Sequence, residues 1–326
     1  MDEIESLRDF RRNIAPDTAT AKRNARTLLD ERMRRQPRDQ RRWLLWGGVP
    51  ATIGAVALVA IIAFNPFAGQ QPQASAAAAQ LNAFASIAAL TQAPAPLADG
   101  QYAYTRSEIA WSMGTDGGWA IVPRTREIWI GADGSGRIAE SISGEPIWLE
   151  RPDGELEDLL LDHATINESF GPGELALSDV SFGLTPERMA ELSVNPDALA
   201  EMVRARAGQV DNPLDYQSFV VVGDLLRESN LSPAFRAAVY QVAARIPNVV
   251  LVGEVIDSSG RPGIAVAMDY RGVRHELVFD AGTAGLLEER NIVVSSDSDY
   301  PAEPGTVVGR ATYLISGIVP STVETP

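Results

Sequence analysis

The amino-acid sequence predicts an α+β fold: a curved antiparallel sheet wrapping inserted helices, preceded by one transmembrane helix and a short cytoplasmic helical segment. Three observations carry this expectation. An uninterrupted apolar run follows a basic N-terminal segment, two groups of β-patterned segments are joined by short turn-forming linkers, and a block with explicit helix-start signals stands between those groups. The 326 residues include 43 acidic and 28 basic side chains, two His and no Cys, with 45% hydrophobic residues and a mean hydropathy of −0.06. That balance excludes a polytopic membrane protein and a wholly disordered chain, each of which needs a far more one-sided composition. Without cysteine there is no disulfide framework, thiolate zinc site or Cys nucleophile, and two histidines leave little for His-based metal binding.

The charge is split along the chain. Residues 1–42 hold 12 Lys/Arg against 8 Asp/Glu, whereas the remainder holds 16 against 35. Between Trp43 and Ala98 there is no charged residue. Leu44 to Phe64 within that gap is 21 residues of almost wholly apolar chain, which as a helix reaches roughly 30 Å and spans one bilayer. Pro50 falls in its first two turns, where a missing N–H costs less than at the centre. Arg34, Arg35, Arg38, Arg41 and Arg42 crowd its N-terminal side and Asp99 is the first charge on the other, so the positive-inside rule places residues 1–42 in the cytoplasm. Trp43 and Trp46 fit an interfacial anchor at that boundary. A cleaved signal peptide is the rival reading, since Ala74-Ser75-Ala76 is an A-x-A pattern. The long leader and an apolar run exceeding the usual h-region of about 7–15 residues favour an uncleaved anchor.

Four segments follow from this: 1–42 as a cytoplasmic helical segment, 43–65 as the transmembrane helix, 66–99 as a linker with a juxtamembrane helix, and 100–326 as an extracytoplasmic α+β domain. In the first, two short helices break at Ala15-Pro16. Ile4 and Leu7 mark one small apolar face, and Leu28, Leu29 and Met33 another. Neither makes a core alone, so the segment reads either as an amphipathic partner-binding element or as a solvated, partly folded leader. In the linker, Ala74 to Thr91 is rich in helix formers, and Leu81, Phe84, Ile87 and Leu90 form one stripe, predicting a juxtamembrane or domain-capping helix that stops at Ala93-Pro94-Ala95-Pro96.

Beyond Gly100 the pattern turns to strands. Gln101–Trp111, Trp119–Ile130 and Gly136–Ile142 are rich in Tyr, Trp, Ile and Thr, and the Gly131–Gly136 turn joins the second to the third. Ile147-Trp148-Leu149 adds an edge. Thr185-Pro186-Glu187, Asn195-Pro196-Asp197 and Ser232-Pro233 each place a capping side chain before Pro at the first helical position. Asp215–Arg227 supplies another amphipathic helix. Val249–Ile256, Gly263–Tyr270, Arg274–Asp280, Leu286–Val294 and Thr306–Val319 then follow as strands with hairpin-length linkers, which makes the sheet antiparallel.

The stretches Gly223-Asp224-Leu225-Leu226-Arg227-Glu228, Leu231 to Tyr240, Ala244-Arg245-Ile246-Pro247, Gly260 to Ala267, Leu277-Val278-Phe279-Asp280 and Pro304 to Gly309 with Tyr313 resemble an uncharacterised family of single-pass membrane proteins from high-GC Gram-positive bacteria. The resemblance covers essentially the whole chain. It implies a gene near those of extracytoplasmic-function sigma factors and an outer domain similar to lipoprotein-carrier and sigma-regulator half-barrels, with no catalytic residue. The His and Cys zinc cluster of well-studied anti-sigma factors has no counterpart in residues 1–42, which contain neither residue type.

Chemical candidates are few. His163 and His275 have the residue type for proton transfer or metal ligation. His275 alternates with Leu277 and Phe279 and so reads as a core or edge histidine, and Ser169, His163 and Asp162 lack the Gly-x-Ser-x-Gly frame of a nucleophile elbow. Asp297, Ser298, Asp299 and Glu303 lack the EF-hand spacing, and Glu155 with Glu157 is an unspecific acid pair. Asp133-Gly134-Ser135-Gly136-Arg137 reads as a hairpin turn rather than a phosphate loop. No enzymatic activity, cofactor or metal is expected. The acidic outer domain disfavours nucleic acid, and the basic flank suits anionic lipid headgroups. The reading is an anchored extracytoplasmic sensor or regulatory protein, with the membrane, a sigma factor or other cytoplasmic regulator, and an unidentified extracytoplasmic ligand as partners. The alternative is an anchored carrier-like protein that binds an envelope lipid and has no signalling role.

Overall fold

The computed structural model describes residues 72–115, 118–151, 165–174, 191–227 and 231–326, all within one unit, Pro66–Pro326. The expected transmembrane segment, its arginine and tryptophan flank and the apolar faces around Ile4 and Leu28 lie outside the described residues. Among the described residues, no helix is long and apolar enough to cross a membrane.

Helix α1 (Pro72–Leu90) opens the domain. Its stripe is realised in part: Leu81 and Phe84 are buried, together with Ala77, Ala85 and Ala88, while Leu90 is exposed. Strands β1 (Tyr102–Thr115), β2 (Gly118–Gly131), β3 (Gly136–Ile142) and β4 (Ile147–Glu150) follow near the expected positions. β1 runs four residues beyond Trp111, because its pairing with β2 continues to Thr115 opposite Gly118. Strand β5 (Ile166–Phe170) was not expected from its polar sequence and exists by pairing with β3, with Ser169 opposite Arg137. The turn between β2 and β3 is the anticipated hairpin: Gly131 N–H donates to the Ser135 carbonyl at 2.8 Å, and Asp133 accepts from the Ser135 backbone and hydroxyl. Gly136 is required there, because a Cβ would stand 2.0 Å from the Trp129 carbonyl oxygen.

Helices α2 (Pro196–Ala207), α3 (Leu214–Leu226) and α4 (Pro233–Ala243) come next. Both Pro-containing start signals in this region act as read: Asn195 accepts from the Asp197 and Ala198 amides, and Ser232 from the Phe235 amide. The third signal, at Thr185, lies outside the described residues. Strands β6 (Val250–Ile256), β7 (Pro262–Tyr270), β8 (Val273–Phe279), β9 (Leu286–Val293) and β10 (Val307–Val319) complete the chain.

All ten strands belong to one antiparallel sheet in the order β5-β3-β2-β1-β10-β9-β8-β7-β6, with β4 on β2. It is curved and unclosed. The first and last strands therefore meet at its centre, Ile109 opposite Ala311, and weld two strand groups separated by the helical block. Strand alternation sends His275, Leu277 and Phe279 toward the helices: Phe219 of α3 meets the His275 ring edge-on at 5.6 Å, and Phe279 sits 5.2 Å from Phe84 of α1 and 5.3 Å from Tyr240 of α4. Phe84, Tyr240 and Phe279 are fully enclosed and centre the main apolar cluster, which draws on all four described helices. The buried Tyr240 hydroxyl donates to the Ala284 carbonyl, so the polar tip of this enclosed aromatic is satisfied. At the other end, the C-terminal tail returns over β2, where Trp129 Nε1 donates to the Glu324 carbonyl at 2.8 Å and Arg137 donates to that of Thr322.

Candidate functional site

Charged side chains enter the buried layer in two places on the helix-facing side of the sheet. On β9, Leu286 to Arg290 sets Glu288 and Glu289 side by side, and alternation sends them to opposite faces. Glu289 faces the helices and is fully enclosed. Arg227, the residue capping the end of α3, donates to both its oxygens, from Nε at 2.8 Å and from a terminal nitrogen at 2.7 Å. The Tyr313 hydroxyl of β10 donates at 2.5 Å. Burial alone would raise the Glu289 pKa, but the Arg227 charge and these hydrogen bonds outweigh it and bring it down to about 2. Burial likewise opposes the charge on Arg227, and Glu289 reverses that effect, holding the guanidinium pKa well above its ordinary value. Asp224, one turn earlier on α3, is 2.8 Å from the same guanidinium.

The helix can come this close because Gly223 faces the sheet: a Cβ there would lie 3.1 Å from Leu277 and 3.6 Å from Glu289. Beside this pair His275 is directly opposite Asn291. Burial lowers the His275 pKa, with Arg227 acting in the same direction and Glu289 and the adjacent Asn291 side chain acting against it, so the neutral ring is favoured. Its Nε2 and the Asn291 Oδ1 are buried without hydrogen-bond partners among the described residues. Next along this row, Trp111 covers Gly309, where a Cβ would stand 2.4 Å from the indole.

The register continues the polar row across the sheet. Tyr313 is opposite Ser107, Ser107 opposite Arg126, and Arg126 opposite Glu140. Glu140, nearly fully buried, accepts from Arg124 at 2.5 Å and from Arg126 at 3.0 Å. Chemically, the row is a set of paired charges: its carboxylates are engaged by guanidinium groups and offer no free general base.

A separate cavity of about 260 Å³ opens between α2, α3 and α4, with Val203, Val242 and Ile246 in its lining and Glu201, Arg204 and Asp215 among its charged residues. Arg245, also in the lining, is paired with Asp197.

Of the residues singled out in the sequence, His275 alone joins the buried row. Ser169 is exposed on β5, and His163, Asp162, Glu155 and Glu157 lie outside the described residues. Asp297, Asp299 and Glu303 lie on the β9–β10 loop, where Asp299 approaches Arg271 at 3.8 Å. Among the described residues no group of three or more His, Asp or Glu is placed to hold a metal ion. Sequence reading missed Glu289, Arg227, Tyr313, Asn291 and the Arg124–Glu140–Arg126 group. Two signals were present: adjacent acids inside a strand, one of which must follow each face, and Arg124 with Arg126 at the two-residue spacing of one face. No protein-family model matches this chain, and no curated protein matches it.

Proposed function

We propose that the chain is a single-pass, membrane-anchored extracytoplasmic sensor or regulatory protein, with residues 1–42 in the cytoplasm, a span within 43–65, and the α+β domain outside the membrane. In this reading the cytoplasmic segment engages a sigma factor or another cytoplasmic regulator, and the outer domain responds to an envelope signal. The observation that carries it is the asymmetry around the charge-free run: five arginines precede it, and the acidic sheet domain follows it. The resemblance to single-pass proteins found near sigma-factor genes supports the regulatory role, and the curved, unclosed sheet agrees with the half-barrel expected from it. Crosslinking in cells from photoreactive residues at positions 28 and 33 of the full chain, followed by mass spectrometry, tests the proposal. Capture of a transcription regulator is the expected result; recovery of lipid-biosynthetic or translocation machinery alone rejects it.

A second reading, an anchored carrier for an apolar envelope ligand, is favoured by the ten-stranded sheet remaining open at both edges. Lipid that co-purifies stoichiometrically with the full chain, combined with an unchanged phenotype when residues 1–30 are scrambled at constant charge, would select it over the first.

A further inference from the structure

We propose that His275 is the proton-responsive part of a latch that holds the end of helix α3 on the sheet, and that acidification opens this latch. The stimulus rests on the sensor reading; the latch rests on packing alone.

The imidazole is enclosed from every side. Phe219 of α3 covers it, Met268 of β7 and Asn291 of β9 flank it on the neighbouring strands, and its own neighbours Arg274 and Glu276 point to the opposite face, paired with Asp269 and Arg290. The charged and titratable groups facing the same layer are Glu289 from β9, Tyr313 from β10, Arg227 and Asp224 from the end of α3, and Tyr216 of α3, whose ring packs 4.7 Å from that of Tyr270 of β7. From β7, Met268 is the residue directly opposite, and Tyr270 lies two residues along on the same face.

A neutral ring suits this enclosure. Its Nε2 has no hydrogen-bond partner among the described residues, and an unmatched lone pair beside an aromatic edge costs less than an unmatched N–H carrying positive charge. Protonation creates that second donor. The acceptors in the row are Asn291 Oδ1, which has no partner among the described residues, and the Glu289 carboxylate, which is the only anion on the two strands in this layer. When imidazolium draws on Glu289, it competes with Arg227 for the same two oxygens. Arg227 already has an alternative partner one turn away in Asp224, so it can leave Glu289 without becoming an isolated charge. What it releases is the last turn of α3, whose close seating depends on Gly223 against Leu277 and Glu289. The sign is set by burial: a group whose folded pKa is depressed contributes docking stability that is complete above its ordinary value of about 6.5 and declines as pH falls below it. Glu289 loses its own contribution only between about 4.5 and about 2, so the two events are separated in pH.

Hydrogen exchange of the full chain in nanodiscs, corrected for intrinsic rates, reads the latch directly. Between about pH 7.5 and 5.5, amides of 219–227 should exchange about tenfold faster while those of α4 stay protected. His275→Phe, which preserves ring packing under Phe219, and His275→Gln should both abolish this pH response, whereas His163→Gln should retain it. A response unchanged in the two His275 variants, one that moves to His163, or none in the unmodified chain overturns the proposal. Because either His275 variant could misfold, histidine-labelled NMR of the His163→Gln chain provides an independent measurement. An imidazole that remains neutral while 219–227 opens also overturns it. Failure to find a cytoplasmic partner would reject the sensor reading and leave these measurements unaffected.

Discussion

The sheet half that carries β6–β9 and the half that carries β1–β5 bury their residues in different ways. On its helix-facing side the first has one continuous apolar cluster that joins α1, α2, α3 and α4 to β7 and β8, with the Arg227–Glu289 pair and Tyr313 set beside it. Its other face holds a small cluster of Ala265, Val278 and Leu287 and the buried Asp257, Glu276 and Glu288 with Arg261 and Arg290. In the second, the apolar residues fall into small separate clusters: Ile128, Ile130 and Ile138 share one face with Ala120 and Val122, with the Arg124–Glu140–Arg126 group between them, and Tyr104, Trp129 and Val319 lie on the other face beside Glu127, which accepts from Tyr104. A large cluster concentrates stability in shared contacts, so loss of one member leaves a cavity that neighbours cannot fill. Small clusters between ion pairs spread stability over independent contacts.

Truncation of one buried residue in each half tests this contrast most directly. Phe279→Ala should destabilise the full chain by about 3–5 kcal/mol, and Ile138→Ala by about 2 kcal/mol, as read from denaturant midpoints. Equal losses would show that the two halves form one cooperative core of uniform density. The charged groups give a second comparison. Arg227→Ala leaves Glu289 enclosed without its cation and should cost about 3–5 kcal/mol near neutral pH. Arg124→Ala should cost about 1–3 kcal/mol, because Glu140 keeps Arg126. The Arg227→Ala deficit should shrink in acid: the folded carboxylate titrates near 2, below its ordinary 4.5, so its stabilising contribution is present above about 4.5 and is lost as pH falls toward 2. A deficit independent of pH down to 2.5 would remove the ion pair as its cause.

Helix ends sharpen the comparison at lower energy. Ser232→Ala removes the cap from α4, which is buried along most of its length, and should lower stability by about 1 kcal/mol. The exposed Arg245–Asp197 pair should contribute less still, about 0.5 kcal/mol or below, with loss of the difference in high salt. A larger value would identify the cavity mouth it borders as a structural element in its own right.

Much of the element order was legible because its causes are local. Pro196 and Pro233 follow side chains that cap the amides two or three residues on, and β3 ends where the alternation ends. His275, Leu277 and Phe279 share a face because a strand alternates, whatever it packs against. The candidate site was less legible because its partners are remote: Arg227 and Glu289 are 62 positions apart, and Tyr313 lies another 24 beyond Glu289. A strand containing two adjacent glutamates announces that one of them faces each side, but not which side the helices will cover.

Composition, periodicity and capping by themselves determined the α+β class, the antiparallel pairing of neighbouring strands and the starts of α2 and α4, since each depends on free energies set within a few residues. Only the tertiary structure decided that β1 and β10 join the two strand groups at the sheet centre, that the polar Ile166–Phe170 segment becomes an edge strand, and that Glu289 rather than Glu288 meets Arg227. Those outcomes depend on register between segments far apart in the chain, where moving one strand by a single residue exchanges its two faces.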